Sequence, residues 1–93
     1  MTVPSSDQPQ FNLTFPCEYV FKAFGPGDSP DFAAAVRQAV ATVVAVPLDA
    51  VRIRKSGQGK YQAVSVALIL YNLEQVHGIY QALKTVPDLQ YLL

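Results

Sequence analysis

The chain has 93 residues, 51% of them hydrophobic, and its seven basic and seven acidic residues balance to zero. This length suits one domain with its own core, and the neutral charge excludes a general attraction to nucleic acid or to an anionic membrane. One cysteine, Cys17, excludes an internal disulfide, and together with the single histidine, His77, it is too small a set for a zinc site. The composition therefore predicts a cytoplasmic protein without metal or cofactor.

The N-terminal segment differs in composition from the rest of the chain. Residues 1–14 are mostly polar, so we predict a disordered arm there and a single domain over residues 15–93. Met1–Gln10 lacks the basic start and the apolar run of a signal peptide. The longest apolar stretch, Ala63–Tyr71, is too short to cross a bilayer, and no membrane association is predicted.

The first half of the domain has the pattern of a strand followed by a helix. Alternation over Glu18–Gly25 predicts a strand with two distinct faces. One face carries Tyr19, Phe21 and Ala23, and the other carries Val20, Lys22 and Phe24. Ser29 as N-cap and Pro30 at the first helical position predict a helix that runs to about Val46. Its apolar face consists of Phe32, Val36, Ala39, Val40 and Val43.

The second half predicts a hairpin, a helix and a last strand. Strands over Ala50–Lys55 and Lys60–Leu70 flank a two-glycine connection, and the core row of the longer strand is Val64, Val66, Leu68 and Leu70. Asn72 and Gln75 form a capping-box pattern that starts the second helix. The apolar stripe of this helix consists of Leu73, Val76, Tyr80 and Leu83. Leu89–Leu93 predicts the last strand, with Leu89, Tyr91 and Leu93 on one face.

The element order β-α-β-β-α-β predicts an α+β domain of the ferredoxin-like type. Each helix has a single apolar stripe, so both helices must cover the same face of one sheet. Right-handed crossovers then favour a four-stranded antiparallel sheet of order 4-1-3-2. The opposite face of the sheet is left open.

Three segments of the chain resemble the YbeD-like proteins, a family of small bacterial proteins grouped as a domain of unknown function. They are Phe15–Gly25, Ser56–Val66, and Leu73–Val76 with Tyr80 and Leu83. The resemblance covers about residues 15–93. It implies a fold similar to that of ACT regulatory domains, which bind small effectors such as amino acids at domain interfaces. It implies no catalytic residue.

A cluster of basic residues is the strongest local feature. It comprises Lys22, Arg52, Arg54, Lys55 and Lys60. If Arg52 and Arg54 share the open face with Lys22, three cations converge there, and Gly57 and Gly59 could add backbone N–H groups for an anion. This pattern indicates a site for a carboxylate, a phosphate or an acidic protein. The alternative is a charged edge strand that resists aggregation.

The open face also carries apolar side chains. We predict an interface centred on Val20, Phe24, Tyr61 and Ile69, with Ala63 and Ala67 between them and the cations at its rim. The occupant could be a second copy, a partner protein or a small acidic effector. RNA binding is not favoured, because Ala63 and Ser65 follow Tyr61 where stacking needs aromatic rings, and the first strand supplies only Phe24.

Catalysis is not predicted. One histidine and few acids supply no Ser/His/Asp set, no paired carboxylates and no metal set. Cys17 lacks a neighbouring base, and the sequence has no P-loop and no dinucleotide-binding glycine motif. We therefore expect a non-catalytic regulatory or effector-binding domain, or a protein-interaction module that uses its open sheet face.

Overall fold

The computed structural model describes residues 13–93. In chain order the elements are β1 (Cys17–Pro26), α1 (Phe32–Ala41), a short 3-10 helix (Leu48–Ala50), β2 (Val51–Lys55), β3 (Tyr61–Leu70), α2 (Leu73–Leu83) and β4 (Tyr91–Leu92). The predicted disordered arm lies outside the described residues, apart from its last two positions. Within the described part of the chain, no helix has the length and hydropathy to span a membrane.

The four strands form one antiparallel sheet of order β2-β3-β1-β4, as predicted. β1 and β3 are the long central pair, aligned over ten residues from Cys17 opposite Leu70 to Pro26 opposite Tyr61. β2 pairs with the first half of β3, from Lys55 opposite Gln62 to Val51 opposite Val66. β4 pairs with β1 through Ala23 opposite Leu92 and Phe24 opposite Tyr91. The predicted ferredoxin-like fold is therefore confirmed.

The core lies between the sheet and the two helices. The predicted strand row of Val64, Val66, Leu68 and Leu70 is buried, so the register of β3 is confirmed. Phe21 and Ala23 of β1 are buried on the same face because side chains alternate along a strand. From α1 the core receives Phe32, Val36 and Val40.

α2 contacts the core through a stripe that differs from the predicted one. Val76, Ile79 and Leu83 are buried, whereas Leu73 and Tyr80 are only half-buried. The prediction omitted Ile79, which is completely buried. Positions i, i+3 and i+7 share one helix face, and Ile79 rather than Tyr80 lies at its centre.

α1 is shorter than predicted at both ends. It begins at Phe32 with Asp31 as N-cap, so Ser29 does not cap it as predicted. It ends at Ala41 instead of Val46. The Thr42 hydroxyl donates to the Ala39 carbonyl at 2.6 Å and competes with the helical hydrogen bonds, and two β-branched valines follow. Val43, predicted to lie on the apolar face, is consequently exposed.

A polar side chain and a glycine join the end of β1 to β3. Gln62 is 3% exposed, and its amide donates to the carbonyls of Pro26 at 2.8 Å and Ser29 at 2.9 Å. The Gly27 N–H donates to the Lys60 carbonyl at 3.1 Å. A Cβ atom at Gly27 would overlap the carbonyl oxygen of Gly59, so the close backbone approach requires glycine here.

Candidate functional site

The open face of the sheet, opposite the helices, brings the predicted cations together. Directly opposed residues on neighbouring strands point to the same face. Lys22 is opposite Ser65, which in turn is opposite Arg52. Two residues closer to the β2–β3 hairpin, Phe24, Ala63 and Arg54 are aligned across the same three strands. The predicted convergence of Lys22, Arg52 and Arg54 on one face is therefore present in the fold.

Two neighbouring depressions occupy this face. The first, here called the cationic depression, has a volume of about 540 Å³ and is lined by Lys22, Arg52, Ile53, Arg54, Ala63 and Ser65. The second, the aromatic depression, has a volume of about 340 Å³ and is lined by Lys22, Phe24, Arg54, Lys55, Ser56, Tyr61 and Ala63. Lys22 and Arg54 line both, so the two depressions form one continuous surface with cations at their junction.

The cations of the open face differ from Arg37 in what they contact. Arg37 on α1 donates to the carbonyl of Val46 at 2.7 Å and therefore has a structural role in the loop after the helix. Within residues 13–93, Lys22, Arg52 and Arg54 have no hydrogen bond or ion pair that would engage their charges. No described residue therefore neutralises these three charges at the depressions.

Three aromatic rings form a cluster beside the cations. The Phe24 ring lies 6.3 Å from that of Tyr61 and 5.9 Å from that of Tyr91, measured between centroids. We call Phe24, Tyr61 and Tyr91 the aromatic platform. Sequence reasoning placed Tyr91 on one face together with Leu89 and Leu93, without assigning it to the open face. The signal that could have found it is its position in an edge strand paired with β1.

The predicted interface residues divide into two groups. Phe24 and Tyr61 belong to the aromatic platform, whereas Val20 and Ile69 lie farther along β1 and β3, where Val20 opposes Ala67. Val20 is four residues from Phe24, which is about 13 Å along a strand. The aliphatic end of the face is therefore separate from the aromatic platform, and Lys22 lies between the two.

The β2–β3 hairpin contributes less than predicted. Gly57 and Gly59 lie at its exposed tip, and the Gly59 N–H donates to the Ser56 carbonyl at 2.9 Å. The Gly59 amide is therefore engaged within the turn, which its φ of 72° allows. Lys55 lines the aromatic depression, whereas Lys60 is exposed and lines neither depression.

A third depression lies between α2 and β4, and sequence reasoning did not anticipate it. Its volume is about 450 Å³, and it is lined by Tyr19, His77, Tyr80, Gln81, Lys84, Leu92 and Leu93. The hydroxyl oxygens of Tyr19 and Tyr80 share a hydrogen bond at 2.9 Å. Burial, followed by this hydrogen bond and the neighbouring Tyr19 charge, raises the pKa of Tyr80 above its ordinary value.

A comparison with family models decides the classification of the chain. The model described as a protein of unknown function, DUF493, matches residues 11–93. The chain belongs to the DUF493 family. This confirms the predicted membership of the YbeD-like family, which is the same family. The family description assigns no reaction, and a comparison with curated proteins gave no match.

The DUF493 fold recurs in a solved structure. The chain is similar to the solution structure of protein HP0495 from H. pylori, with a TM-score of 0.69 and 16% sequence identity. The match covers 100% of this chain and 97% of that one. At this identity the likeness supports the fold alone. In the described part of the DUF493 chain, no three His, Cys, Asp or Glu side chains are grouped to hold a metal ion.

Proposed function

We propose that this DUF493 chain is a non-catalytic binding domain and that its open sheet face binds an anionic ligand. The observation that carries the proposal is the alignment of Lys22, Arg52 and Arg54 around one depression. Three like charges on β1 and β2, the two strands that flank β3, repel one another and raise the local positive potential, and an anion relieves this repulsion. Carboxylates and phosphates are the groups that match arginine in geometry.

We infer that this binding serves a regulatory role. The resemblance of the YbeD-like family to ACT regulatory domains supports an effector that is bound rather than a substrate that is converted. The cytoplasm remains the location predicted from the single cysteine. Anionic effectors carrying carboxylate or phosphate groups suit the cationic depression.

The test is a nuclear magnetic resonance titration of the ¹⁵N-labelled domain with inorganic tripolyphosphate and, separately, with a peptide of ten glutamates. We expect amide shifts to concentrate in β2 and in the facing parts of β1 and β3. Arg52→Ala should weaken binding about tenfold or more, because one charge-assisted hydrogen bond contributes roughly 1.5–3 kcal/mol. Lys84→Ala removes an exposed cation at the C-cap of α2, away from the open face, and is the control.

The proposal fails if neither anion binds, or if Arg52→Ala and Lys84→Ala have the same effect. It also fails if the shifts concentrate at the depression between α2 and β4. A salt dependence alone does not discriminate, because any cation on the surface produces one.

A second candidate is protein interaction through the aliphatic end of the open face. The observation that favours it is the exposure of two large aliphatic side chains there, Val20 at 47% and Ile69 at 54%. Their burial against a second copy would stabilise a dimer. Analytical ultracentrifugation of the wild type and of Ile69→Ser tests this candidate, which predicts a dimer that the substitution dissociates. A wild-type monomer over the micromolar range contradicts it.

A further inference from the structure

The aromatic platform and the cations line the same surface. Phe24, Tyr61 and Tyr91 come from three neighbouring strands, β1, β3 and β4, so their rings extend across the sheet and not along one strand. Tyr61 and Tyr91 are 48% and 60% exposed. Exposed rings on the open face of a sheet are flat apolar surfaces that another planar group can cover.

The rings and the charges share one depression. Lys22, Arg54 and Lys55 line the same aromatic depression as Phe24 and Tyr61. A ligand that covers the rings therefore comes within reach of three cations. Arginine adds a planar guanidinium that can itself stack on a ring system. A ligand in which planar apolar groups alternate with negative charges would complement both the rings and the cations.

We infer that the anionic ligand of the open face is a single-stranded nucleic acid, an inference that rests on the proposed function. In a single strand the bases supply the planar groups, and the phosphates that link them supply the charges. A duplex fits less well because its bases are stacked on one another and cannot cover the rings.

The arrangement of the rings supports separate contacts for successive bases. Phe24 is tilted by 58° to Tyr61 and by 53° to Tyr91, so the three rings do not form one plane. Each ring therefore presents its own stacking surface. Stacking of a base on an aromatic side chain contributes about 1–3 kcal/mol and tolerates any base, so we expect little sequence preference.

The expectation against RNA binding rested on two observations: no aromatic residue follows Tyr61 on the open face of β3, and β1 supplies only Phe24. Ala63 and Ser65 indeed carry no ring, and both are half-buried between the neighbouring strands. The edge strand β4 supplies the missing ring, because it places Tyr91 beside Phe24. The platform is therefore displaced toward β4 and is not missing.

The experiment is fluorescence anisotropy with a labelled ten-residue oligouridylate, in competition with inorganic polyphosphate of matched charge and with a ten-glutamate peptide. Wild-type protein should bind the oligonucleotide more tightly than either competitor. Tyr91→Leu should weaken oligonucleotide binding about tenfold, within the range of one lost stacking contact, and leave polyphosphate binding unchanged. Arg54→Ala should weaken the binding of both. Tyr71→Leu, at a tyrosine that is 63% exposed and follows the end of β3 opposite to Tyr61, is the matched control.

Each outcome separates the two proposals. If polyphosphate binds as tightly as the oligonucleotide and Tyr91→Leu changes neither, the nucleic-acid inference is overturned and the anion site stands. If the glutamate peptide binds and the oligonucleotide does not, the ligand is an acidic protein and the inference is again overturned. If no anion binds, the proposed function fails as well. Circular dichroism and an amide spectrum of each variant establish that it is folded; if Tyr91→Leu unfolds the domain, Phe24→Leu replaces it.

Discussion

Gln62 should stabilise the domain although it is a polar residue in a buried position. We consider Gln62→Leu, which keeps the volume of the side chain and removes its two hydrogen bonds. The lost bonds join β3 to the Pro26 and Ser29 carbonyls at the start of the connection to α1. The substitution therefore isolates the hydrogen bonds from any cavity that a smaller residue would leave.

The size of the stability loss in Gln62→Leu depends on which other hydrogen bonds the two carbonyls keep. The Pro26 carbonyl still accepts from the Ser29 N–H at 3.2 Å, and the Ser29 carbonyl from the Phe32 N–H at 3.4 Å. Neither acceptor is left without a donor, so the loss is the net value of two hydrogen bonds and not the full cost of two orphaned groups. We expect a decrease in unfolding free energy of about 2 kcal/mol, roughly 1 for each bond. In a domain of this size the melting temperature should fall by roughly 8–16 °C.

Urea unfolding measures this change through the midpoint, with an unchanged slope. Gln38→Leu, at an exposed position of α1, is the control and should stay within about 0.5 kcal/mol of the wild type. Gln62→Glu adds a pH test, because a carboxylate there would face two carbonyl oxygens. The folded-state pKa of the introduced carboxyl should be raised, so unfolding free energy should fall as pH rises above about 4.3. Equal midpoints for Gln62→Leu and Gln38→Leu would refute the reasoning.

Three further predictions test other parts of the domain. Because the pKa of Tyr80 is raised in the folded domain, this tyrosine ionises first in the unfolded chain, and the domain should lose stability above about pH 10. Tyr80→Phe should reduce this alkaline decrease of the melting temperature, and an unchanged dependence of the melting temperature on pH would contradict the prediction. Gly27→Ala should destabilise strongly, since the added methyl meets the Gly59 carbonyl, and a melting temperature within 2 °C or so of wild type would show that the backbone relaxes there. Ile79→Ala should cost about 2–5 kcal/mol in urea unfolding, whereas Ile69→Ser on the open face should cost far less; similar losses would place the core boundary elsewhere.

The sheet could be predicted from the sequence because its signal is local. The alternation in β3 assigns every second residue to the core, and a shift by one residue would expose Val64 and Val66 together. The ends of α1 could not be predicted in the same way. Whether Thr42 continues the helix depends on competition between its hydroxyl and the backbone, and the helical pattern alone does not resolve it.

The site was predictable where it depends on spacing within one strand. Arg52 and Arg54 are two residues apart and must share a face of β2. The aromatic platform depends instead on how β4 is aligned with β1, a contact between residues 67 positions apart in the chain, Phe24 and Tyr91. A two-residue strand carries too little alternation to reveal its register. Gln62 lies in the buried row of β3 that alternation predicts, but its hydrogen-bond acceptors could not be predicted, since they lie 33 and 36 residues away.

The shortness of β4 has a kinetic consequence for Tyr91, the ring of the aromatic platform that this strand carries. β4 pairs with β1 over only two residues, and its ends are held by a hydrogen bond from the Gln90 N–H to the Phe24 carbonyl and by a reciprocal pair between Lys22 and Leu93. Such an edge can open locally without unfolding the central strands. Amide hydrogen exchange at Gln90 and Leu93 therefore measures how often Tyr91 leaves the platform. A ligand that contacts Tyr91 stabilises the paired state of β4 and must slow this exchange by the same factor.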